Sequence, residues 1–485
     1  MVSSPVPKKA VTLANMNRNL RRAEYAVRGR LAIRADELRK TLLEHEQCPP
    51  PPAQALPFTE IISANIGNPQ AMDQQPITFF RQVLALVQYP DLLKSEHAAQ
   101  IFPADARKRA QTLLDHIGSV GAYSHSQGVP YIRQSVANFI ARRDGFPSNP
   151  KDVFLASGAS SAVSSLLRTI CDGPDSAVMI PVPQYPLYSA TLTLENATAV
   201  PYYLEYSAHD IANTVRQAKA SGLSLRSIVV INPCNPTGTC LTEAEIKDII
   251  TIAADNRLMI IADEVYQTNI YEGEFLSFKR MLRELQRDYP GRYENVELAS
   301  LHSTSKGMLG ECGQRGGYVE LVGFDPAVVD QMYKLVSISL CPVVTGQVLT
   351  ELMVNPPREG DESFPLYKKE YNDIYNSLKK RAFDLYQAFS QMEGVICEEP
   401  KGAMYLFPQI TIPKAAIQEA ARQNMEPDEF YCIQLLEKTG VCVIPGSGFG
   451  QQDGTFHFRT TFLAPGHEYI DRMVNFHSQF MDKYR

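Results

Sequence analysis

The sequence has 485 residues, 44% hydrophobic and 21% charged, which is ample material for packed cores and excludes wholesale disorder. Its net charge of −6 argues against a general nucleic-acid binder, and no apolar run approaches the ~20 residues of a membrane span. Nine scattered cysteines without a C-x-x-C pair point to a reducing compartment and to neither a disulfide framework nor a metal site.

At ~150 residues per domain the length suggests about three domains. There is no tryptophan, so aromatic stacking must come from tyrosine, phenylalanine or histidine. Residues 1–34 hold eight Lys or Arg and one acid, Glu24. A basic, acid-poor start can be a mitochondrial presequence. Pro5, Pro7 and the continuation of the periodic pattern into Ala35-Asp36-Glu37-Leu38 favour an ordinary basic helix or arm.

In chain order, residues 31–47 read as a helix, with Leu31, Ile33, Leu38, Leu42 and Leu43 near one face. Pro49-Pro50-Pro51-Pro52 ends it as a stiff connector. Residues 61–66 read as a short strand running into the turn Gly67-Asn68-Pro69. Helices are expected over 78–88 and 105–116. Four short apolar runs then alternate with helical stretches, at 153–156, 177–180, 227–232 and 258–264. Such runs predict buried parallel strands with helices on both faces. A Pro/Gly/charge-rich stretch at 355–366 reads as a hinge. A helix at 367–393, shorter strands and a last helix at 466–482 follow.

Several segments carry possible chemistry, and each has a plainer reading when taken alone. Ser157-Gly158-Ala159-Ser160-Ser161 joins a strand to a helix start. Free N–H groups there suit a phosphate, though a Ser N-cap would look the same. Gly446-Ser447-Gly448-Phe449-Gly450 is glycine-rich but has neither the dinucleotide spacing nor a following helix. Asp263 ends a buried strand, where α/β sheets bind ligands, or caps the next element. Asn232 to Gly238 is a rigid turn. Lys306 interrupts an uncharged segment among Ser303, Thr304, Ser305 and Gly307. A desolvated lysine has a lowered pKa and can form an imine, whereas most lysines simply face water. Arg315 suits bidentate phosphate recognition. Arg459 stands among Phe456, Phe458 and Phe462, where it needs an anionic partner or a salt bridge.

In order, these residues resemble the fold-type-I pyridoxal phosphate enzymes of the aspartate aminotransferase superfamily, and most closely its alanine aminotransferase branch. The segments that carry the resemblance are Arg21 to Gly29, Asn65-Ile66-Gly67-Asn68-Pro69-Gln70, Tyr123 to Gly128, Asn232 to Gly238, Asp263-Glu264-Val265-Tyr266-Gln267 and, most specifically, Ser303 to Tyr318. It spans about residues 18–480. The nine-residue spacing from Lys306 to Arg315, one longer than the commonest superfamily pattern, is shared by the alanine branch.

The resemblance implies an α/β fold. It has a large domain with a mostly parallel seven-stranded sheet flanked by helices, and a smaller α/β domain built from both chain ends. The segments would be 1–89 (arm and part of the small domain), 90–354 (large cofactor domain) and 355–485 (C-terminal small domain). Pyridoxal 5′-phosphate is the implied cofactor. Lys306 would hold it covalently and carry a proton between the substrate Cα and the cofactor C4′. Asp263 would pair with the pyridine nitrogen. Asn235 and Tyr266 would hydrogen-bond the ring's 3-oxygen, and Tyr185 would stack on its face. The amides of Ala159 and Ser160, the Ser303 hydroxyl and Arg315 would hold the phosphate. Tyr123 would reach the phosphate of a second subunit, implying a homodimer with shared sites. Arg459 would clamp the substrate α-carboxylate, with Asn235 beside it and Gly67 allowing close backbone approach.

The implied reaction is L-alanine plus 2-oxoglutarate giving pyruvate plus L-glutamate, through pyridoxamine phosphate. The alternatives are a glutamate:glyoxylate aminotransferase, a lyase on the same fold or a non-catalytic homologue. Arg133 and Arg142 are open candidates for the distal carboxylate of glutamate. A cytoplasmic location is expected, with the mitochondrial matrix as the alternative.

Overall fold

The computed structural model describes residues 9–25, 29–51, 54–203 and 207–485. Pro5, Pro7, Arg28 and Pro52, used in the sequence reading, lie outside these residues. The seven strands of the main sheet are β1 (Val153–Leu155), β2 (Ser176–Val182), β3 (Thr198–Tyr203), β4 (Ser224–Ile231), β5 (Met259–Asp263), β6 (Leu298–Ser303) and β7 (Gly317–Val322), in the order β1-β7-β6-β5-β4-β2-β3. The pairs from β6 through β3 are parallel, and β7 runs antiparallel to both of its neighbours. The expected α/β architecture with a mostly parallel seven-stranded sheet is therefore present.

The apolar runs explain the central strands. Ile228, Val230, Ile260 and Ala262 pack on one side against Ile211, Ile249 and Leu282. Val229, Ile231, Met259 and Ile261 pack on the other against Leu166, Tyr188 and Met332. Both faces are covered, so alternation in space leaves no polar alternation in sequence. β3, β6 and β7 escape the apolar-run reading. β3 is an edge strand whose alternate residues face out, and it tolerates Pro201 there. β6 carries buried Ser300 and His302, and β7 carries Glu320, which accepts a 2.5 Å bond from the equally buried Lys279.

The helices follow their periodic patterns. They include α1 (Arg30–Gln47), α2 (Thr78–Gln88), α3 (Ala104–Ile117), α4 (Pro130–Asp144), α5 (Ala159–Ile170), α6 (Leu187–Leu194), α7 (Val344–Val354), α8 (Phe364–Ser390) and α9 (Glu468–Tyr484). The expected apolar face of α1 is corrected. Leu31, Ala35 and Leu38 are buried, whereas Ile33 is 59% and Leu43 57% exposed, because a 3.6-residue period carries them to the far side. The strand expected at 61–66 is also corrected. It reduces to one parallel bridge between Ile62 and Val441, since Ala64 and Asn68 already turn the chain back on Ile62 and Ile66.

A second set of small sheets lies beside the main one: β8 (Val395–Ile396) pairs with β10 (Gln409–Ile410), and β12 (Phe458–Thr461) lies between β9 (Tyr405–Leu406) and β11 (Ile444–Pro445). Its core joins Leu31 and Ala64 from the early chain to Leu385, Phe458 and Phe476 from the late chain. Phe79 to Val87 of α2 pack instead with Leu113, Ile140 and Leu349. Among the described residues, no helix is long and apolar enough to cross a membrane.

Candidate active site

The carboxyl ends of β1, β4, β5 and β6 reach one edge of the main sheet. That edge is where open α/β sheets take ligands. Asp263 is the last residue of β5, Ser303 the last of β6, and Asn235 lies in the turn after β4. β7 runs the other way, so its start delivers the preceding Arg315 to the same edge; Ser303 pairs directly with Gly317. A cavity of about 280 Å³ opens there. It is lined by every residue to which the resemblance gives a role except Tyr123: Lys306, Asp263, Tyr266, Ala159, Ser160, Tyr185, Asn235, Ser303, Arg315, Arg459 and Gly67 all face it.

Tyr123 is the exception, and its expected place is not met within one chain. It is 77% exposed, in the loop before α4. The main-chain amide of Val343, in another loop, bonds the Ser157 hydroxyl at 3.1 Å, beside the helix-start segment. Arg133 donates to the Gly128 and Pro150 carbonyls, and Arg142 to that of Val354. Neither lines the cavity.

At the start of α5, Gly158 caps the helix at φ 86°, a left-handed geometry that a side chain would strain. A Cβ there would also collide with Arg315. Arg315 donates to the Ser160 hydroxyl at 3.1 Å and to the Ser157 carbonyl at 3.0 Å. A guanidinium, a hydroxyl and the free N–H groups of a helix start therefore converge, which is an anion-binding arrangement.

Asp263 is buried. Its Oδ2 accepts from the Tyr188 hydroxyl at 2.9 Å, while Oδ1 has no hydrogen-bond partner among the described residues. Burial raises its carboxyl pKa. The Tyr188 bond, the Val265 amide and the Lys306 charge oppose this without cancelling it. A buried carboxylate with a free oxygen calls for a cationic N–H.

Lys306 Nζ donates to the Gly67 carbonyl at 2.8 Å and lies 5.9 Å from the Tyr266 ring centroid. Arg459, 1% exposed, donates to Asn235 Oδ1 at 2.9 Å and to the Asn65 carbonyl. Its guanidinium lies 4.2 Å from the Tyr405 ring centroid and 4.7 Å from that of Phe449. Its Nε has no hydrogen-bond partner among the described residues. Aromatic rings flank Arg459, but they are Tyr405 and Phe449 and not the sequence neighbours Phe456, Phe458 and Phe462; Phe458, next to it on the strand, packs instead against Phe389 and Tyr431.

Three tyrosines escaped the sequence reading. Tyr188 lies one turn after Tyr185, a spacing that places it under the same site. Tyr405 sits on a two-residue strand with no periodic signal. Tyr25 belongs to the basic arm. Its hydroxyl is 2.7 Å from that of Tyr185, and the arm's Asn19 donates to the Leu194 carbonyl at the end of α6, so the arm lies at the cavity mouth.

These groups fit pyridoxal phosphate. There is an anion cup at α5, an unsatisfied buried carboxylate oxygen for a ring N–H, a lysine amine between them, and a guanidinium with an unpaired N–H for a carboxylate.

Comparison with known proteins agrees. The family described as Aminotransferase class I and II matches residues 92–475. The Saccharomyces cerevisiae protein named "Alanine aminotransferase, mitochondrial" is 52% identical over 99% of this chain and 82% of its own length. A second protein from the same yeast, named "Inactive alanine aminotransferase", is 49% identical over 99% of this chain and 96% of its own. The solved structure of an alanine aminotransferase from Pyrococcus furiosus superposes with a TM-score of 0.72 at 22% identity, over 96% of this chain and 99% of its own, which speaks to the fold.

Proposed function

The chain belongs to the class I and II aminotransferases, and from that premise we propose that it transfers the amino group of L-alanine to 2-oxoglutarate, giving pyruvate and L-glutamate. Pyridoxal 5′-phosphate is its cofactor, and amino acids and 2-oxo acids are its substrates. The observation that carries the reading is the cavity that gathers Lys306, Asp263, Arg315 and Arg459, with Asp263 Oδ1 and Arg459 Nε unpartnered among the described residues.

Bound there, the cofactor supplies an electron sink for the pair left when an amino acid loses its Cα proton. The chain's residues do the rest. Arg315, Ser303 and the amides of Ala159 and Ser160 hold the phosphate. Asn235 and Tyr266 hydrogen-bond the ring's 3-oxygen, and Tyr185 covers the ring face. Asp263 keeps a proton on the ring nitrogen. Arg459 binds the α-carboxylate, so that the Cα–H bond faces Lys306. Lys306 Nζ takes that proton and returns it, as general base and then general acid. The rings around Arg459 exclude water and strengthen its pairing with a carboxylate.

The protein works as a homodimer in which Tyr123 completes the phosphate site of a second copy. Its 77% exposure in a single chain supports that placement. The segments 1–89, 90–354 and 355–485 stand as arm with part of the small domain, large domain and C-terminal small domain, with α2 at the end of the first segment packing its apolar face against α3, α4 and α7. The sequence favours the cytoplasm, and the name of the yeast relative favours the mitochondrion. Fractionation of cells expressing the chain decides between them.

A keto-acid panel with alanine as donor tests the reaction. 2-Oxoglutarate is expected to outperform glyoxylate, and the reverse would make the enzyme a glyoxylate transaminase. Product formed without conversion of the cofactor to its amine form would make it a lyase. No turnover by the fully loaded protein would align it with the yeast relative named inactive.

A further inference from the structure

Tyr405 lies in the cavity with its ring beside Arg459, and its hydroxyl has no part in the roles above. It stands on β9 of the small sheet, is buried, and reaches across to the main-sheet side. Its hydroxyl accepts from the Tyr266 hydroxyl at 3.1 Å. Its ring lies under the Arg459 guanidinium. The hydroxyl also occupies the space where Gly67 lacks a side chain. A Cβ on Gly67 would collide with it and come within 2.9 Å of Lys306 Nζ, the atom that donates to the Gly67 carbonyl. Phenol and amine therefore meet at one glycine.

The electrostatics of the pair agree with this geometry. Burial alone would raise the Tyr405 phenol. The Lys306 and Arg459 charges and the bond from Tyr266 outweigh burial and bring it below the ordinary tyrosine value. Tyr266, the donor, is pushed up by burial and by Tyr405. An oxygen held between two cations is a strong acceptor.

We propose that Tyr405 is the positioning residue for Lys306: its hydroxyl, seated in the space left by Gly67, orients the amine and links it to Tyr266, while its ring supports the Arg459 clamp. Gly67 is then glycine because the phenol needs the room, a different reason from close approach to substrate. The inference rests on the reading that Lys306 moves the Cα proton.

Tyr405→Phe in the full-length, cofactor-loaded enzyme tests it. The ring remains, so the melting temperature and cofactor retention are expected to hold, and KM for alanine to change by less than about twofold, while kcat falls about tenfold. The pH midpoint of the visible cofactor absorbance is expected to fall by about one unit, because an oxygen that favours the charged nitrogen is gone. A merely structural tyrosine would not move that midpoint. In cofactor-free protein, Gly67→Ala is expected to lower the melting temperature, and adding Tyr405→Phe to recover most of the loss. If Tyr405→Phe fails to fold, Gly67→Ala displaces the same hydroxyl and is expected to lower the midpoint likewise. An unmoved midpoint, with kcat within about twofold of wild type, overturns the proposal. A wild type without any visible band overturns this inference and the aminotransferase reading together. A normal wild-type band with Tyr405→Phe titrating identically overturns this inference alone.

Discussion

Asp263 and Arg459 face the same cavity from opposite sides and are held in place by different means. Asp263 ends a buried strand in the middle of the seven-stranded sheet, where hydrogen bonds to β4 and β6 fix its backbone and one tyrosine steadies its side chain. Arg459 stands on a four-residue strand between strands of two residues. It is held by what comes to it: Asn235 from the main-sheet side, the Asn65 carbonyl from the early chain, and the rings of Tyr405 and Phe449 from the late chain. The main sheet positions a charge by backbone register with one side-chain hydrogen bond, from Tyr188. The small-sheet side positions one by convergence of segments hundreds of residues apart, so the clamp forms only when those segments are docked together. The cofactor side should therefore tolerate local damage outside the site, and the substrate side should not.

The largest test of that contrast is Lys306→Ala. It leaves the α5 anion cup and Asp263 untouched, so the protein should still retain cofactor through the phosphate, while single-turnover transamination falls by about 10⁴-fold. Loss of cofactor in parallel would mean that the cup does not act as an anchor. Arg459→Ala comes next. Removing a buried charged clamp is expected to cost about 2–5 kcal/mol of alanine binding, read as a raised KM with cofactor absorbance unchanged. Unchanged alanine saturation would remove Arg459 from the substrate site.

α1 tests the docking of the early chain. Leu38→Ala, in a buried contact near Phe58 and Leu436, should cost about 2–4 kcal/mol in urea unfolding, while Ile33→Ala on the exposed side should stay within about 0.5 kcal/mol. Equal costs would restore the helix face read from the sequence.

The smallest expected effect is on the main-sheet side. Glu264 is buried next to Asp263 among Arg143, Asp144 and Glu320, and burial above all pushes its carboxyl up to about 8, against the opposing charge of Arg143. The folded protein thus holds this proton up to about pH 8, whereas the unfolded chain loses it near pH ~4.3. Stability from this group is lost as pH rises through that window. Glu264→Gln removes the titration, so its melting-temperature gain over wild type should be smallest near pH 5, grow to a few degrees by pH 8 and then level off. A gain constant with pH would contradict the burial argument.

The same contrast governs what the sequence discloses. β2, β4 and β5 announce themselves as apolar runs because both faces are buried, and the chemistry sits at their carboxyl ends, where sequence order and spatial order coincide. Asp263 could be picked out for that reason, whereas Lys306 showed as a lone charge in an uncharged segment and Ser303 and Arg315 came with the motif around it. β6 and β7 stayed hidden because Ser300, His302 and Glu320 are buried as polar residues. β3 stayed hidden because it is an edge. On the other side, Arg459 was noticeable as a lone charge among phenylalanines, but its supports were not. Tyr405 occupies a strand too short to show a period, and its meeting with Gly67 joins positions far apart in the chain. Tyr123 shows the remaining limit: the role proposed for it needs a second copy, and a single chain leaves it 77% exposed.

The central claim is that this cavity binds pyridoxal phosphate on Lys306 and exchanges amino groups with alanine. An absorbance titration of the purified, cofactor-reconstituted protein tests it most directly. The account predicts a visible band that L-alanine bleaches and 2-oxoglutarate restores. A colourless reconstituted protein, or a band indifferent to both substrates, would contradict it.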